Sequence, residues 1–352
     1  ATPCGRGCSI GANFQSPTVL LPPALATGNL TIRTDAMVFE VSSNAKGQAN
    51  GVGFIDRITG KQHHVRARVV ILAASACESA RIMLNSKSNA HPNGIGNASG
   101  LVGKYIMDTV GADLLGQFPI MENMPPHNAD GASAMHMYMP WWLYQEQAKG
   151  QLDFARGYHI EFGGGRRMPQ GGHFSSVEAM NGGNYGQQLK EDCRRYYGSF
   201  IGFSGRGEMI PNEDCYCTID GEQKDKWGIP TLKFHWRWSD HELNQARHMH
   251  ATFRTIIESM GGRVMGEVAT DGARAIKKPG EIIHEVGGAR MGDNPATSVL
   301  NQFCQSWQVP NLFVTDGAGF VSNADKNPTL SIMANAWRSA DYLVQEMRAR
   351  NL

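Results

Sequence analysis

The sequence predicts an α/β fold in its outer parts and an α+β fold in the middle, and three observations carry that prediction. Val69-Val70-Ile71-Leu72-Ala73-Ala74 is a continuous apolar run ending in small residues, the pattern of a parallel strand buried on both faces. Between about 111 and 275 the composition shifts to short alternating strands, with glycines at 163–165 and the cluster Met135-His136-Met137-Tyr138-Met139-Pro140-Trp141-Trp142, which fits an antiparallel sheet edged by helices. Two helical periods then punctuate the chain, one over 239–261 and one from Pro328 toward Arg348.

Taken in order, Cys4-Gly5-Arg6-Gly7-Cys8 brings two thiols together in a glycine-rich start. The spacing is not Cys-x-x-Cys and supplies too few ligands for zinc, so a structural or disulfide role is preferred and no metal is assigned. Residues 29–34 and 36–41 alternate as half-buried strands, and 51–56 continues a meander that turns at Thr59-Gly60. The stretch Val65–Ala74 ends in the apolar run. Glu78–Ser86 has helical apolar spacing, and Gly94-Ile95-Gly96-Asn97-Ala98-Ser99-Gly100 reads as a surface loop, because no strand leads directly into it. Cys215-x-Cys217 has alternating neighbours that suit a strand. Ser239 with Glu242 forms a capping box for a helix whose apolar positions are Leu243, Ala246, Met249 and Phe253. Its histidines 241, 248 and 250 read as solvated positions, since 248 and 250 point about 200° apart on a helix.

Bulk composition removes several classes of partner. The 352 residues carry 33 basic and 32 acidic side chains, leaving no net field to draw nucleic acid or an anionic membrane. No apolar run approaches the roughly 18 residues of a membrane span. Seven cysteines at scattered spacing form no small-domain disulfide framework. A 41% apolar content is enough for a large core in two domains.

Candidate chemistry concentrates at the C-terminal end. An imidazole ordinarily titrates close to neutral pH, and His284 stands among glycines, where both a structural and a general-base role are open. Asn327-Pro328-Thr329 reads as a capped helix start, with Pro in the first turn where a missing N–H is harmless. Asp316-Gly317 follows the apolar Leu312-Phe313-Val314 and is open as a simple turn aspartate. Ala74 and Ser75 end the apolar strand, where open α/β sheets place ligands; a core strand with a tight exit is the alternative.

His284-Glu285-Val286-Gly287-Gly288-Ala289-Arg290-Met291-Gly292, then Asn311–Gly317, then Asn327-Pro328-Thr329 and a closing helix together resemble the C-terminal signature of the glucose-methanol-choline flavoprotein oxidoreductases. That resemblance implies an incomplete Rossmann-like FAD-binding domain, in portions 1–110 and 276–352, interleaved with an antiparallel-sheet substrate-binding domain over 111–275. It implies His284 as the base, Asn327 as the second catalytic side chain and FAD as cofactor. It further implies that the Val38 backbone pairs with the adenine and that Ala74 and Ser75 run beside the flavin. Asp316 and Gly317 would meet its ribityl and pyrophosphate side, and Pro328 and Thr329 would aim a helix N-terminus at the flavin pyrimidine. Two positions depart from the family pattern: Thr109 stands where His is usual, and Gly288 where Thr is more usual. A Gly-x-Gly-x-x-Gly turn for the pyrophosphate is not found in the first hundred residues, which predicts that the chain is the C-terminal part of a longer protein.

Alcohol oxidation by hydride transfer needs a base for the hydroxyl proton, a polar group on the oxygen and positive potential at the flavin edge. The resemblance supplies all three and predicts hydride transfer from an alcohol, a sugar or polyol, to flavin N5. The segment around Cys4 and Cys8, running on to Ser9-Ile10-Gly11-Ala12, is similar to bacterial members related to gluconate and sugar dehydrogenases, which admits an electron-transfer partner subunit or cytochrome. The alternatives are a cholesterol- or choline-type oxidase and a non-catalytic sugar-binding or scaffold remnant of the same fold.

Overall fold

The structure is a computed structural model that describes residues 8–12, 14–125, 137–165 and 172–352. Cys4, Met135 and His136 lie outside the described residues. In chain order, α1 (Leu21–Ala26) precedes β1 (Ala36–Ser43), β2 (Ala49–Asp56), β3 (Gln62–Arg66), β4 (Val70–Leu72) and α2 (Ala76–Asn85). Then come β5 (Val110–Gln117), β6 (Met137–Met139), α3 (Tyr144–Ala148), β7 (Tyr158–Gly164), α4 (Gly172–Asn181), α5 (Gly186–Tyr196) and β8 (Phe200–Gly207). The remainder is β9 (Tyr216–Lys224), β10 (Pro230–His235), α6 (Asp240–Ser259), β11 (Arg263–Met265), α7 (Gly272–Ala275), β12 (Leu312–Val314) and α8 (Thr329–Arg348). No helix among the described residues is long and apolar enough to cross a membrane.

The elements sort into two compact units. One holds Ala1–Ile32, Val110–Gly207 and Asp240–Lys277; the other holds Arg33–Thr109, Glu208–Ser239 and Lys278–Leu352.

The first unit is built on a five-stranded sheet in the order β11-β5-β8-β7-β6, antiparallel throughout. Helix α6 lies on it, burying Ala246, Met249 and Phe253 completely. Its approach is close because β8 offers glycine: a Cβ on Gly205 would sit 2.4 Å from Met249 Sδ. Phe203 anchors the layer, with Phe118, Phe162 and Phe253 at ring distances of 6.4, 5.8 and 6.1 Å. Each such buried ring contributes about 1.5–3 kcal/mol. Of the three α6 histidines, His241 is exposed as the sequence suggests, but His248 and His250 are not solvated. His250 is 6% exposed and its Nδ1 accepts from Ala269 N at 3.1 Å, while His248 Nδ1 meets the Tyr158 hydroxyl at 2.8 Å. Burial holds both imidazoles below their ordinary pKa. They were misjudged because α6 is covered on more than its apolar stripe.

The second unit combines the meander β1-β2-β3, the hairpin β9-β10 and a parallel pair, β4 with β12, in register Val70↔Leu312 to Leu72↔Val314. Its core gathers Val41, Leu72, Ala80, Met83, Ile106, Leu300, Leu312 and Val314. Arg81 of α2 ties the hairpin in place, reaching Asp225 Oδ2 and Pro230 O, each at 2.8 Å.

Three sequence expectations are corrected in this unit. Residues 29–34 carry no strand and Ile32 is exposed, because β2 ends opposite Ala36 and the chain turns away after Asp56. The stretch 65–74 is divided between two partners, β3 on β2 and β4 on β12. Val70 and Leu72 face the core at 5% exposure while Ile71 is 50% exposed, so β4 is buried on one face only. The 94–100 loop is not a surface loop in its first half: Ile95 is fully buried and its N–H donates to Met83 O at 3.0 Å.

Candidate active site

The His284 segment is a seam between two others. Val286 and Met107 exchange backbone hydrogen bonds of 2.8 and 2.9 Å, and Gly288 N donates to Lys104 O at 3.1 Å. On its other side Gly287 N donates to Gly317 O, Ala289 N to Ala318 O and Met291 N to Gly319 O, at 2.9, 2.9 and 3.0 Å. Glycine three residues after the histidine is a geometric requirement. Gly287 has φ +87°, and a Cβ there would lie 2.1 Å from the Tyr105 carbonyl oxygen. Gly288, where Thr is the more usual residue, also has a positive φ, +94°.

His284 is half-buried, and three of its atoms are seen held. Its N–H donates to Asp108 Oδ1 at 3.0 Å, its carbonyl accepts from Asn323 Nδ2 at 3.1 Å, and its ring Nδ1 lies 3.2 Å from Thr109 Oγ1. Asn323 Nδ2 also reaches Thr109 Oγ1, at 3.5 Å. Asp108 is the organiser of this loop: at 1% exposure it accepts from Thr109 N at 2.7 Å and Gly280 N at 3.3 Å besides His284 N. Burial pushes its carboxyl above the ordinary value against those hydrogen bonds. The residue before His284 is strained: Ile283 has φ +61°, a region that costs a β-branched side chain about 1–3 kcal/mol and survives only where neighbours over-determine it. The Asp108 clamp supplies that constraint. Burial likewise raises the Glu285 carboxyl, with the Asp108 charge adding to it.

A second cluster lies where the parallel strands end. The turn 73–75 after β4 is exposed, which is where ligands meet open α/β sheets, and Ser75 takes φ +82° to begin α2. Asp316, after β12, is 8% exposed and pins this turn from behind. Its Oδ2 accepts from the Ser79 hydroxyl and its Oδ1 from Ala318 N at 2.9 Å, capping the 3-10 turn Gly317–Gly319, while Ser79 Oγ accepts from Ala74 N at 3.1 Å. Gly317 is buried, with Val286 and Glu285 3.2 and 3.3 Å from a virtual Cβ. Val38 is half-buried in β1, which forms one edge of the meander, opposite Phe54 and beside an irregularity in the pairing.

Burial pushes the Asp316 carboxyl above its ordinary value of 3.8, outweighing the hydrogen bonds from Ser79, Ala318, Ser75 and Ala74. A carboxyl raised on folding binds its proton more tightly in the folded state, so its contribution to stability is present below 3.8 and is lost as pH rises through the folded value. Asp316→Asn removes that titration and keeps an acceptor for Ala318 N. Wild type is therefore expected to lose melting temperature relative to Asp316→Asn as pH rises from about 4 toward 7. A constant offset between the two melting curves across that range overturns this.

Helix α8 starts one residue later than the sequence suggests. Pro328 occupies the N-cap position in helical conformation (φ −80°, ψ −9°), no side chain caps the first turn, and Thr329 is the first helical residue. Asn327 is therefore not the cap; it is exposed, and its side chain makes no hydrogen bond to His284 among the described residues. Proline's fixed φ lets the helix begin at Pro328 without a side-chain acceptor. Asn327 lies four residues beyond Asn323, which does touch His284. Along α8 the apolar Leu330 and Trp337 are 77% and 74% exposed, and only Ser339 is buried.

The structure thus adds Asp108, Thr109 and Asn323 to the sequence-predicted residues and gathers them on His284. Asp108 was legible only as the neighbour of the divergent Thr109; nothing near Asn323 marks it in the sequence. Among the described residues no group of three or more His, Cys, Asp or Glu is placed to hold a metal ion. The exposed turn after β4, the adjoining turn 316–319 and the uncapped start of α8 fit a flavin, offering backbone where an elongated phosphate-bearing group lies against an α/β sheet. A half-buried imidazole whose backbone is fixed in this way is placed for proton exchange through its ring.

Comparison with known proteins bears on the family and the fold. Two family models, both described as GMC oxidoreductase, match residues 2–116 and 211–336. The 2-methyl-1,2-propanediol dehydrogenase of Mycolicibacterium austroafricanum is 29% identical over 353 residues, covering 96% of this chain and 60% of that protein. The gluconate 2-dehydrogenase flavoprotein of Pantoea cypripedii is 27% identical, covering 94% and 53%. The fructose dehydrogenase large subunit of Gluconobacter japonicus is 24% identical, covering 98% and 59%. The chain therefore spans somewhat more than half the length of these relatives. Among solved structures, the formate oxidase of Aspergillus oryzae RIB40 superposes with a TM-score of 0.63 at 14% identity, covering 92% of this chain and 62% of that one. Pyridoxine 4-oxidase from Mesorbium loti gives 0.57 at 16%, covering 93% and 60%. At those identities the likeness speaks to fold alone.

Proposed function

We propose that this chain, which belongs to the GMC oxidoreductase family, is the catalytic part of an FAD-dependent protein that oxidises an alcohol group of a small polyol or sugar. The observation that carries the reading is the hold on His284 at its backbone N–H, its carbonyl and its ring Nδ1, which fixes an imidazole beside the turns assigned to the flavin. FAD, when bound, supplies the hydride acceptor. Val38, the turn at Ala74 and Ser75, Asp316 with Gly317, and Pro328 with Thr329 would hold it. Asp316 acts through the turn it braces, since both its oxygens are engaged within the protein.

In this reading His284 takes the substrate hydroxyl proton on its ring, and Asn327 steadies the oxygen as negative charge builds there. The start of α8 directs its dipole and N–H groups at the same region. Polyol and sugar substrates are favoured by the diol, gluconate and fructose dehydrogenases among the relatives. A separate electron-accepting subunit or cytochrome belongs to the same proposal, favoured by the fructose enzyme's being a large subunit.

Asn327 gives a direct test. Because no side chain caps α8, Asn327→Ala is expected to leave stability within about 0.5 kcal/mol of wild type. Its rate of flavin reduction by alcohol is expected to fall about a hundredfold, the scale of losing one oxyanion donor. Asn327→Asp is expected to fold normally and lose turnover as well, since a carboxylate opposes hydride arrival. A stable, fully active Asn327→Asp protein in anaerobic stopped-flow measurements ends the assignment.

A further inference from the structure

We propose that Thr109 and Asn323 are a positioning pair that holds His284 in the tautomer protonated at Nδ1, with the Thr109 hydroxyl oxygen as acceptor, so that Nε2 receives the substrate proton. The proposal rests on His284 being the base. The His284 carbonyl can only accept, so its 3.1 Å contact fixes the amide nitrogen end of Asn323 toward it. That nitrogen's second hydrogen points to Thr109 Oγ1 at 3.5 Å. The hydroxyl oxygen thus accepts from the amide and lies 3.2 Å from Nδ1; a base that takes the substrate proton at Nε2 carries its own hydrogen on Nδ1, which makes the ring N–H the donor of this contact.

Water is kept from competing, because Thr109 and Asn323 are each 1% exposed. The backbone of Thr109 is fixed in turn by its N–H on Asp108 Oδ1. Thr109 is the position at which this chain departs from its family's usual histidine. A hydroxyl there braces the imidazole without adding a second titrating ring. Charged groups near His284 among the described residues include Asp108 on the facing segment and Glu285 next in the chain, while Asp325 and Lys326 pair with each other on the 320–328 loop. All remain in place when the hydroxyl is removed.

The test uses the whole flavoprotein with nitrogen-15-labelled histidine, the His284 signals being those that vanish in His284→Ala. Wild type is expected to show the proton on Nδ1 in neutral His284; a bare Nδ1 overturns the proposal without any Thr109 variant. In Thr109→Val, which keeps the shape and removes the acceptor, the His284 pKa is expected to fall, because an acceptor favours the imidazolium over the neutral ring. The acid limb of the flavin-reduction profile is expected to move to lower pH with it, and the rate to drop about ten- to a hundredfold, as when other hydrogen-bond partners that orient a working imidazole are lost. Thr109→Ser is expected to restore all three. A raised or unchanged His284 pKa in Thr109→Val, or failure of Ser to rescue, overturns the proposal. The two readings fail separately: an unaltered reduction rate in His284→Ala removes the base, whereas the tautomer and titration of His284 report on Thr109 whatever that rate is.

Discussion

Replacing His284 by alanine in the whole flavoprotein is expected to slow flavin reduction by alcohol on the order of a hundredfold or more, the scale of losing a positioned general base. Substrate affinity is expected to change far less, because the base acts chiefly in the transition state. The structure makes the substitution a clean one. The backbone N–H on Asp108 and the carbonyl facing Asn323 survive in alanine, so the 280–284 loop keeps two of its anchors and only the ring is lost. Anaerobic stopped-flow reduction separates the rate from the affinity, and melting temperature checks the fold. An unchanged reduction rate in a normally folded variant removes His284 from the mechanism.

Gly287→Ala is expected to be the most damaging single methyl in this unit. The position has φ +87°, which costs an L-residue about 1–2 kcal/mol, and the new Cβ would fall 2.1 Å from the Tyr105 carbonyl oxygen. That neighbour is backbone and cannot swing away, so the 103–107 segment or the 284–292 segment must move, adding about 1–3 kcal/mol of overpacking. The first segment runs directly into Asp108 and Thr109, and the second begins at His284 itself. The expected outcome is a loss of about 3 kcal/mol or more in denaturant unfolding and a displaced His284 in what remains folded. A Gly287→Ala protein with wild-type stability overturns this account of the motif glycine.

Much of this was readable in order along the chain. The periods of 3.6 and 2 located α2, α6, α8, two strands of the meander and the antiparallel sheet, because each is a local pattern of which side chains face a core. His284, Asp316 and Gly317 stood out through the family resemblance, and the turn residue Gly60 takes the positive φ its position needs. The failures share a cause. Ile71 looked buried because hydrophobicity records what a strand prefers, while its exposure depends on what covers that face. His248 and His250 looked solvated because helical angle alone says nothing of neighbouring elements.

The sequence by itself determined most of the elements and the mixed fold, since propensity and periodicity act within a few residues of each other, and its family resemblance singled out the imidazole of the proposed chemistry. Only the tertiary structure decided what holds that imidazole. Asp108 reaches His284 across 176 residues, Thr109 across 175 and Asn323 across 39. A hydrogen bond needs its partners within about 3.5 Å and is indifferent to the length of chain between them, so no local pattern in the sequence records it.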